Sequence, residues 1–97
     1  MDDDVVVASR ALLLAMSDDI VPQEYRLGRD LCTIGRIQGC RVRAPRDDIS
    51  RLHARIEASG PRFVLTDAGS VNGTYVNGRL LTGPHLLSDD DTIGLGS

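Results

Sequence analysis

His53-Ala54-Arg55-Ile56-Glu57-Ala58-Ser59-Gly60-Pro61-Arg62-Phe63-Val64-Leu65-Thr66-Asp67 is the stretch that decides the fold class. From His53 to Ala58 small or apolar and charged residues alternate, with Ala54 and Ile56 on one face and Arg55 and Glu57 on the other. That is the period of a half-buried strand. Ser59-Gly60-Pro61 supplies turn chemistry, and Arg62 to Asp67 reads as the strand that returns. Two strands and a tight turn make a β-hairpin, which needs further strands to bury its apolar face.

Further strands are readable on both sides. Upstream, Cys40 to Ala44 places Val42 between Arg41 and Arg43 and is ended by Pro45, while Leu31 to Ile34 ends at Gly35. Glu24 to Leu27 precedes them. Leu12 to Met16 is read as the first strand, although its Ala, Leu and Met also favour helix. Downstream come Thr74 to Val76, a turn at Asn77-Gly78, then Leu80-Leu81, Leu86-Leu87 and Thr92 to Leu95, with Asp89-Asp90-Asp91 read as a solvated turn. Short aliphatic segments punctuated by Gly, Pro, Asn and Asp predict an all-β sandwich or barrel.

Ninety-seven residues suit one domain with a modest core, too small for a second lobe around a large substrate. The expected boundaries are 1–10 as an N-terminal extension or the start of the first strand, and 11–97 as the domain. A net charge of -3 argues against a dedicated nucleic-acid binder. Its distribution is uneven: residues 36–55 hold six arginines against Asp47 and Asp48, a balance of +4, and the rest of the chain carries -7. All eleven basic residues are arginine, whose forked guanidinium suits phosphate but whose exclusive use also follows from genomic base composition. Cys32 and Cys40 have no zinc-ligand spacing and read as reduced, structural thiols. No metal or cofactor is expected. The acidic start Met1-Asp2-Asp3-Asp4 and the interruption by Arg10 argue against a secretory signal, and no segment has the length of a membrane span. The expectation is a cytoplasmic protein with neither a membrane nor a nucleic acid as partner.

Three polar clusters stand between the strands: Gly35-Arg36, Ser50-Arg51-Leu52-His53 and Asn72-Gly73-Thr74. A phosphate needs a fixed cation with hydroxyl and amide donors aimed at one point. Arg36 is the candidate cation, Ser50 offers its hydroxyl and backbone N–H, and the Asn72 amide can grip a ligand's backbone. Each cluster alone reads as ordinary turn chemistry. Their ordered combination is what points to a phosphate-reading site. His53 lacks both a metal-ligand partner and a nucleophile, so it reads as structural.

The ordered blocks Ile34-Gly35-Arg36, Ile49 to Ile56, Asp67 to Gly78, Leu87 and Asp91 to Gly96 resemble the forkhead-associated (FHA) domain family. The resemblance runs from about residue 11 to the end. It implies an eleven-stranded sandwich of short antiparallel and mixed strands whose loops at one end bind phosphothreonine in a protein or peptide partner. On that reading Arg36 and Ser50 hold the phosphate with Arg51 as a further contact, Asn72 bonds the peptide backbone, and Gly35, His53 and Gly73 support the loops. Val71 stands where some relatives have threonine and cannot donate a side-chain hydrogen bond. The resemblance also implies that the chain stops before the family's last strand, leaving an unpaired edge at Leu12 to Met16 through which copies could self-associate.

The leading expectation is therefore a phosphopeptide-binding signalling module. The alternative is a phosphate-independent interaction or assembly domain of the same fold. An enzyme is not expected, since neither His53 nor His85 sits in a nucleophile constellation.

Overall fold

A computed structural model describes residues 5–9, 12–17 and 20–96, with side chains from Tyr25 onward. Eleven strands and no helix make up the described residues: β1 (Val5–Ser9), β2 (Leu12–Ser17), β3 (Ile20–Arg26), β4 (Cys32–Gly35), β5 (Val42–Arg43), β6 (Ala54–Ser59), β7 (Arg62–Asp67), β8 (Thr74–Val76), β9 (Arg79–Leu80), β10 (His85–Leu86) and β11 (Asp91–Leu95). They form one sheet in the order β3-β2-β1-β11-β8-β9 and a second in the order β10-β7-β6-β4-β5. Every pairing is antiparallel except β4 with β5, which is parallel through Ile34 opposite Val42 and Gly35 opposite Arg43.

The β6–β7 hairpin forms as its alternation requires. Ala54 and Ile56 are buried and Glu57 exposed, and pairing runs from Ala54 opposite Asp67 to Ser59 opposite Arg62. Gly60 closes the turn at φ 60°, a left-handed conformation that glycine adopts without steric cost. Ile34, Val42, Ile49, Ile56, Leu65, Ile93 and Leu95 fill one core drawn from both sheets and the loop before β6. Fully burying each such side chain contributes about 1.5–3 kcal/mol, so a core with few aromatics suffices at this size.

The expected unpaired edge is not there. Val5–Ser9 lies between β2 and β11 and pairs antiparallel with both, Val6 facing Ala15 on one side and Ile93 on the other. Three consecutive valines favour an extended chain, and the pairing with β2 runs from Val5 opposite Met16 to Ser9 opposite Leu12. Leu12–Ser17 is thus the second strand, and the edge through which self-association was expected has a neighbour on each side.

Asp91 corrects another expectation. It is only 8% exposed, not part of a solvated turn. Its carboxylate accepts the Ser88 backbone N–H at 2.8 Å and the Asn77 side-chain amide at 2.9 Å, and meets His85 Nε2 at 3.0 Å. Asp91 thereby joins the Asn77-Gly78 turn to β10. Burial pushes its pKa up, but the donors from Ser88, His85 and Asn77 outweigh that and hold it below the usual carboxylate value.

Candidate functional site

The site begins at the end of β4, where the chain must approach another backbone closely. A Cβ on Gly35 would lie 2.1 Å from the Arg51 carbonyl oxygen and 2.9 Å from Cys40 Sγ. Only glycine fits there. The close approach lets the Arg36 backbone N–H donate to the carbonyls of both Ser50 and Arg51, each at 3.0 Å. The Arg36 side chain turns the same way, its Nε donating to the Ile49 carbonyl at 2.9 Å. A half-buried guanidinium is therefore fixed against the 46–53 loop, with its terminal nitrogens still able to donate.

His53 organises the other side. Its ring is fully buried; Nδ1 accepts the Ser50 backbone N–H at 3.0 Å, so Nε2 carries the proton and donates to the Gly73 carbonyl at 2.7 Å. One imidazole thus ties the serine loop to the asparagine loop. The backbone of His53 adds two more ties, its N–H to the Ile34 carbonyl at 2.8 Å and its carbonyl to the Ala68 N–H at 2.9 Å.

The bond to Nδ1 also alters what Ser50 can offer. Its backbone N–H, expected to be available to a ligand, is spent on His53. Its hydroxyl oxygen accepts the Val71 backbone N–H at 3.0 Å, which leaves the hydroxyl proton free to point outward. Asn72 likewise bridges the loops, with Nδ2 donating to the Asp48 carbonyl at 2.8 Å. Gly73 follows at φ 92°, where a Cβ would come 2.7 Å from Leu80 Cδ1. Arg51 supplies its carbonyl to Arg36, Ile37 and the Cys40 thiol, while its side chain is exposed.

Arg36, Ser50, Arg51 and Asn72, together with Gly35, His53 and Gly73, are thus gathered into one cluster of loops. Sequence reading missed two of the residues that hold it. Asp67 accepts the backbone N–H groups of Gly69 and Ser70 at 3.0 and 3.1 Å and the hydroxyls of Ser70 and Thr74. An Asp with Gly two positions on and Ser three positions on is the signature of an Asx-type turn and could have been noticed. Asp48 contributes its carbonyl to Asn72 and its carboxylate to Arg46, and packs where a Cβ on Gly96 would sit at 3.0 Å. No local pattern announces a contact between residues so distant in sequence.

Burial raises the Asp67 pKa, yet the bonds from Ser70, Thr74 and Gly69 more than offset this and hold it low. Asp67 and Asp91 therefore stabilise the fold fully above the unfolded carboxylate value of about 4, and that contribution is lost as pH falls through their lower folded values. Asp67→Ala should cost about 2 kcal/mol at neutral pH, since hydrogen bonds to a charged acceptor are worth about 1.5–3 kcal/mol. Thermal melting of the variant should show that penalty shrinking below pH 4, whereas an equal penalty at every pH would contradict the charge-based account.

Cys32 and Cys40 are free and buried, and burial pushes both thiols up. Among the described residues no group of His, Cys, Asp and Glu could hold a metal ion, and no helix is long and apolar enough to cross a membrane. A separate open cleft of about 680 Å³ lies along Val76 to His85. The one imidazole on it, His85, is engaged with Asp91.

The FHA domain model matches residues 32–96, about two thirds of the chain, and the chain belongs to this family. The crystal structure of the FhaA FHA domain complexed with the intracellular domain of Rv3910 is 33% identical, with a TM-score of 0.74 over 96% of this chain and 92% of that one. A structure from a study of phosphothreonine-dependent FHA domain interactions is 34% identical, with a TM-score of 0.73 over 95% of this chain and 86% of that one. Among curated relatives, the oxoglutarate dehydrogenase inhibitor of Corynebacterium jeikeium is 30% identical over 89% of this chain, and human kanadaptin is 34% identical over 52%. The chain spans 59% of the first of these two and 8% of the second. FHA domains are interaction modules, and both FHA structures show this β-sandwich.

Proposed function

We propose that this domain binds phosphothreonine in a protein partner through the loops at 35–36, 46–53 and 68–73. The observation that carries the reading is the fixed Arg36 guanidinium beside a serine whose hydroxyl proton is free, since Ser50 Oγ already accepts the Val71 N–H. Cation and donor held on one loop suit a phosphate dianion. On this reading Arg36, Ser50 and the exposed Arg51 meet the phosphate. Asn72 keeps its amide oxygen and second N–H for the ligand's backbone, one N–H being spent on Asp48. Two of the solved relatives point the same way, one from phosphothreonine-dependent interactions and one in complex with an intracellular domain.

Titration with a degenerate peptide library around a fixed phosphothreonine, its unphosphorylated twin and its phosphoserine twin tests the proposal. Binding only to the phosphorylated forms, strongest for phosphothreonine, is expected. Equal binding to the unphosphorylated library would refute it. Asn72→Ala should weaken binding about tenfold without changing the dependence on phosphate, because about 1–1.5 kcal/mol of hydrogen bonding is lost and the charge recognition is not. A second reading, phosphate-independent docking on a protein, draws on the relative named as an enzyme inhibitor. It predicts partner binding that survives dephosphorylation.

A further inference from the structure

The basic stretch at 36–55 holds more arginine than one phosphate needs, and the structure accounts for most of it. Arg46 forms a two-pronged pair with Asp48, Nε to Oδ1 at 3.0 Å and Nη2 to Oδ2 at 2.7 Å, so this acid and this arginine neutralise each other. Arg41 is drawn away from the loops: its Nη2 donates to the Arg26 carbonyl and its backbone N–H to Thr33 Oγ1 at 3.1 Å. Arg55 faces Glu57 on β6 at 3.8 Å. Arg36 is committed to the Ile49 carbonyl and, on the proposed function, to the phosphate.

Arg43 is different. It lies on the edge strand β5 directly opposite Gly35, between the buried Val42 and Ala44, and its side chain is exposed. Its Nε donates to the Arg36 carbonyl at 3.2 Å, which anchors the base of the guanidinium to the main chain of the phosphate-binding residue. Among the described residues the terminal nitrogens of Arg43 meet no carboxylate. The exposed charges of this stretch are those of Arg41, Arg43 and Arg51 against Asp47, and of the three arginines Arg41 is turned to the Arg26 carbonyl while Arg43 is anchored on Arg36. A second anchored cation beside the first matches a ligand carrying a second negative charge close to its phosphate. The forked shape favours a carboxylate.

We infer that Arg43 is a specificity-determining residue that selects an aspartate or glutamate flanking the phosphothreonine. The inference rests on the proposed phosphothreonine reading and deepens it. It also resolves the opposing charges of the loop: Asp48, which would repel an acidic ligand, is neutralised by Arg46, while Arg43 is left outward.

The test is a set of synthetic phosphothreonine peptides with alanine flanks, in which one aspartate is moved through the positions on either side, titrated against the intact chain and three variants. One aspartate position should tighten wild-type binding about three- to tenfold over the all-alanine phosphopeptide, the range of a partly exposed charge pair with good geometry. Arg43→Gln should reduce that ratio to less than twofold while still distinguishing the phosphorylated from the unphosphorylated all-alanine peptide. Arg43→Lys, which keeps the charge without the fork, should retain part of it. Arg41→Gln should leave the ratio unchanged. Rising salt should lower the wild-type ratio and not that of Arg43→Gln. If no aspartate position tightens binding, or if the preference persists in Arg43→Gln, the role of Arg43 is overturned. If wild type binds phosphorylated and unphosphorylated all-alanine peptides equally, the phosphothreonine reading itself fails and the inference fails with it.

Discussion

Arg36→Ala is expected to abolish measurable phosphopeptide binding while leaving the melting temperature within a few degrees of wild type. The two effects separate because Arg36 uses different atoms for structure and for recognition. Its backbone N–H, bonded to the Ser50 and Arg51 carbonyls, holds the end of β4 to the serine loop, and alanine keeps that N–H. What alanine removes is the guanidinium, including the Nε bond to the Ile49 carbonyl at 2.9 Å. One side-chain hydrogen bond is worth about 1 kcal/mol to stability. Removing one partner of a desolvated charge pair costs about 2–5 kcal/mol in binding, or about thirty- to several-thousandfold. Calorimetric titration with a phosphothreonine library and its unphosphorylated twin, beside a thermal melt, distinguishes the outcomes. Affinity within threefold of wild type would place Arg36 outside the ligand site. Lost binding with a large drop in melting temperature would make it a structural residue.

The fold was legible wherever local chemistry determines it. The β6–β7 hairpin follows from alternation plus a Ser-Gly-Pro turn, and Arg62–Asp67 and Thr74–Val76 occupy the residues expected of them. For Val5–Ser9 the sequence leaves an extension and the start of the first strand both open, since its pairing as a separate strand between β2 and β11 depends on Gly94, Ile93, Thr92 and Asp91 at the other end of the chain. Asp91 was misjudged for the same reason: three consecutive aspartates look solvated until Asn77 and His85 are brought to the third of them. In the site, the expected residues do meet. Their hydrogen-bond allocation could not be read, because it depends on contacts between loops. Sequence shows that Ser50 has two donors. Only the approach of His53 Nδ1 and of the Val71 N–H shows that the hydroxyl alone remains. Likewise the glycine at 35 reads as a turn residue, whereas its physical reason is the Arg51 carbonyl lying where a Cβ would be.

His53→Ala should destabilise the domain by about 3–5 kcal/mol, and binding should be lost in proportion to the loss of folded loops. The imidazole is fully buried between the two loops, so its removal leaves a cavity lined by polar groups. The Ser50 N–H loses its acceptor at Nδ1 and the Gly73 carbonyl loses its donor at Nε2. Each unsatisfied buried group costs about 1–3 kcal/mol, and the lost packing adds to both. That total is a large share of the 5–15 kcal/mol typical of a domain. The consequence for function follows from the same bonds: Ser50 would no longer be held with its hydroxyl outward, and Gly73 would no longer fix the backbone beside Asn72. His53→Gln, which can offer one acceptor and one donor, should recover part of the stability and part of the binding together. Denaturant unfolding and phosphopeptide titration of both variants check the coupling. A variant with wild-type stability and abolished binding would overturn it, because the imidazole would then have to touch the ligand, which its burial between Ser50 and Gly73 does not allow.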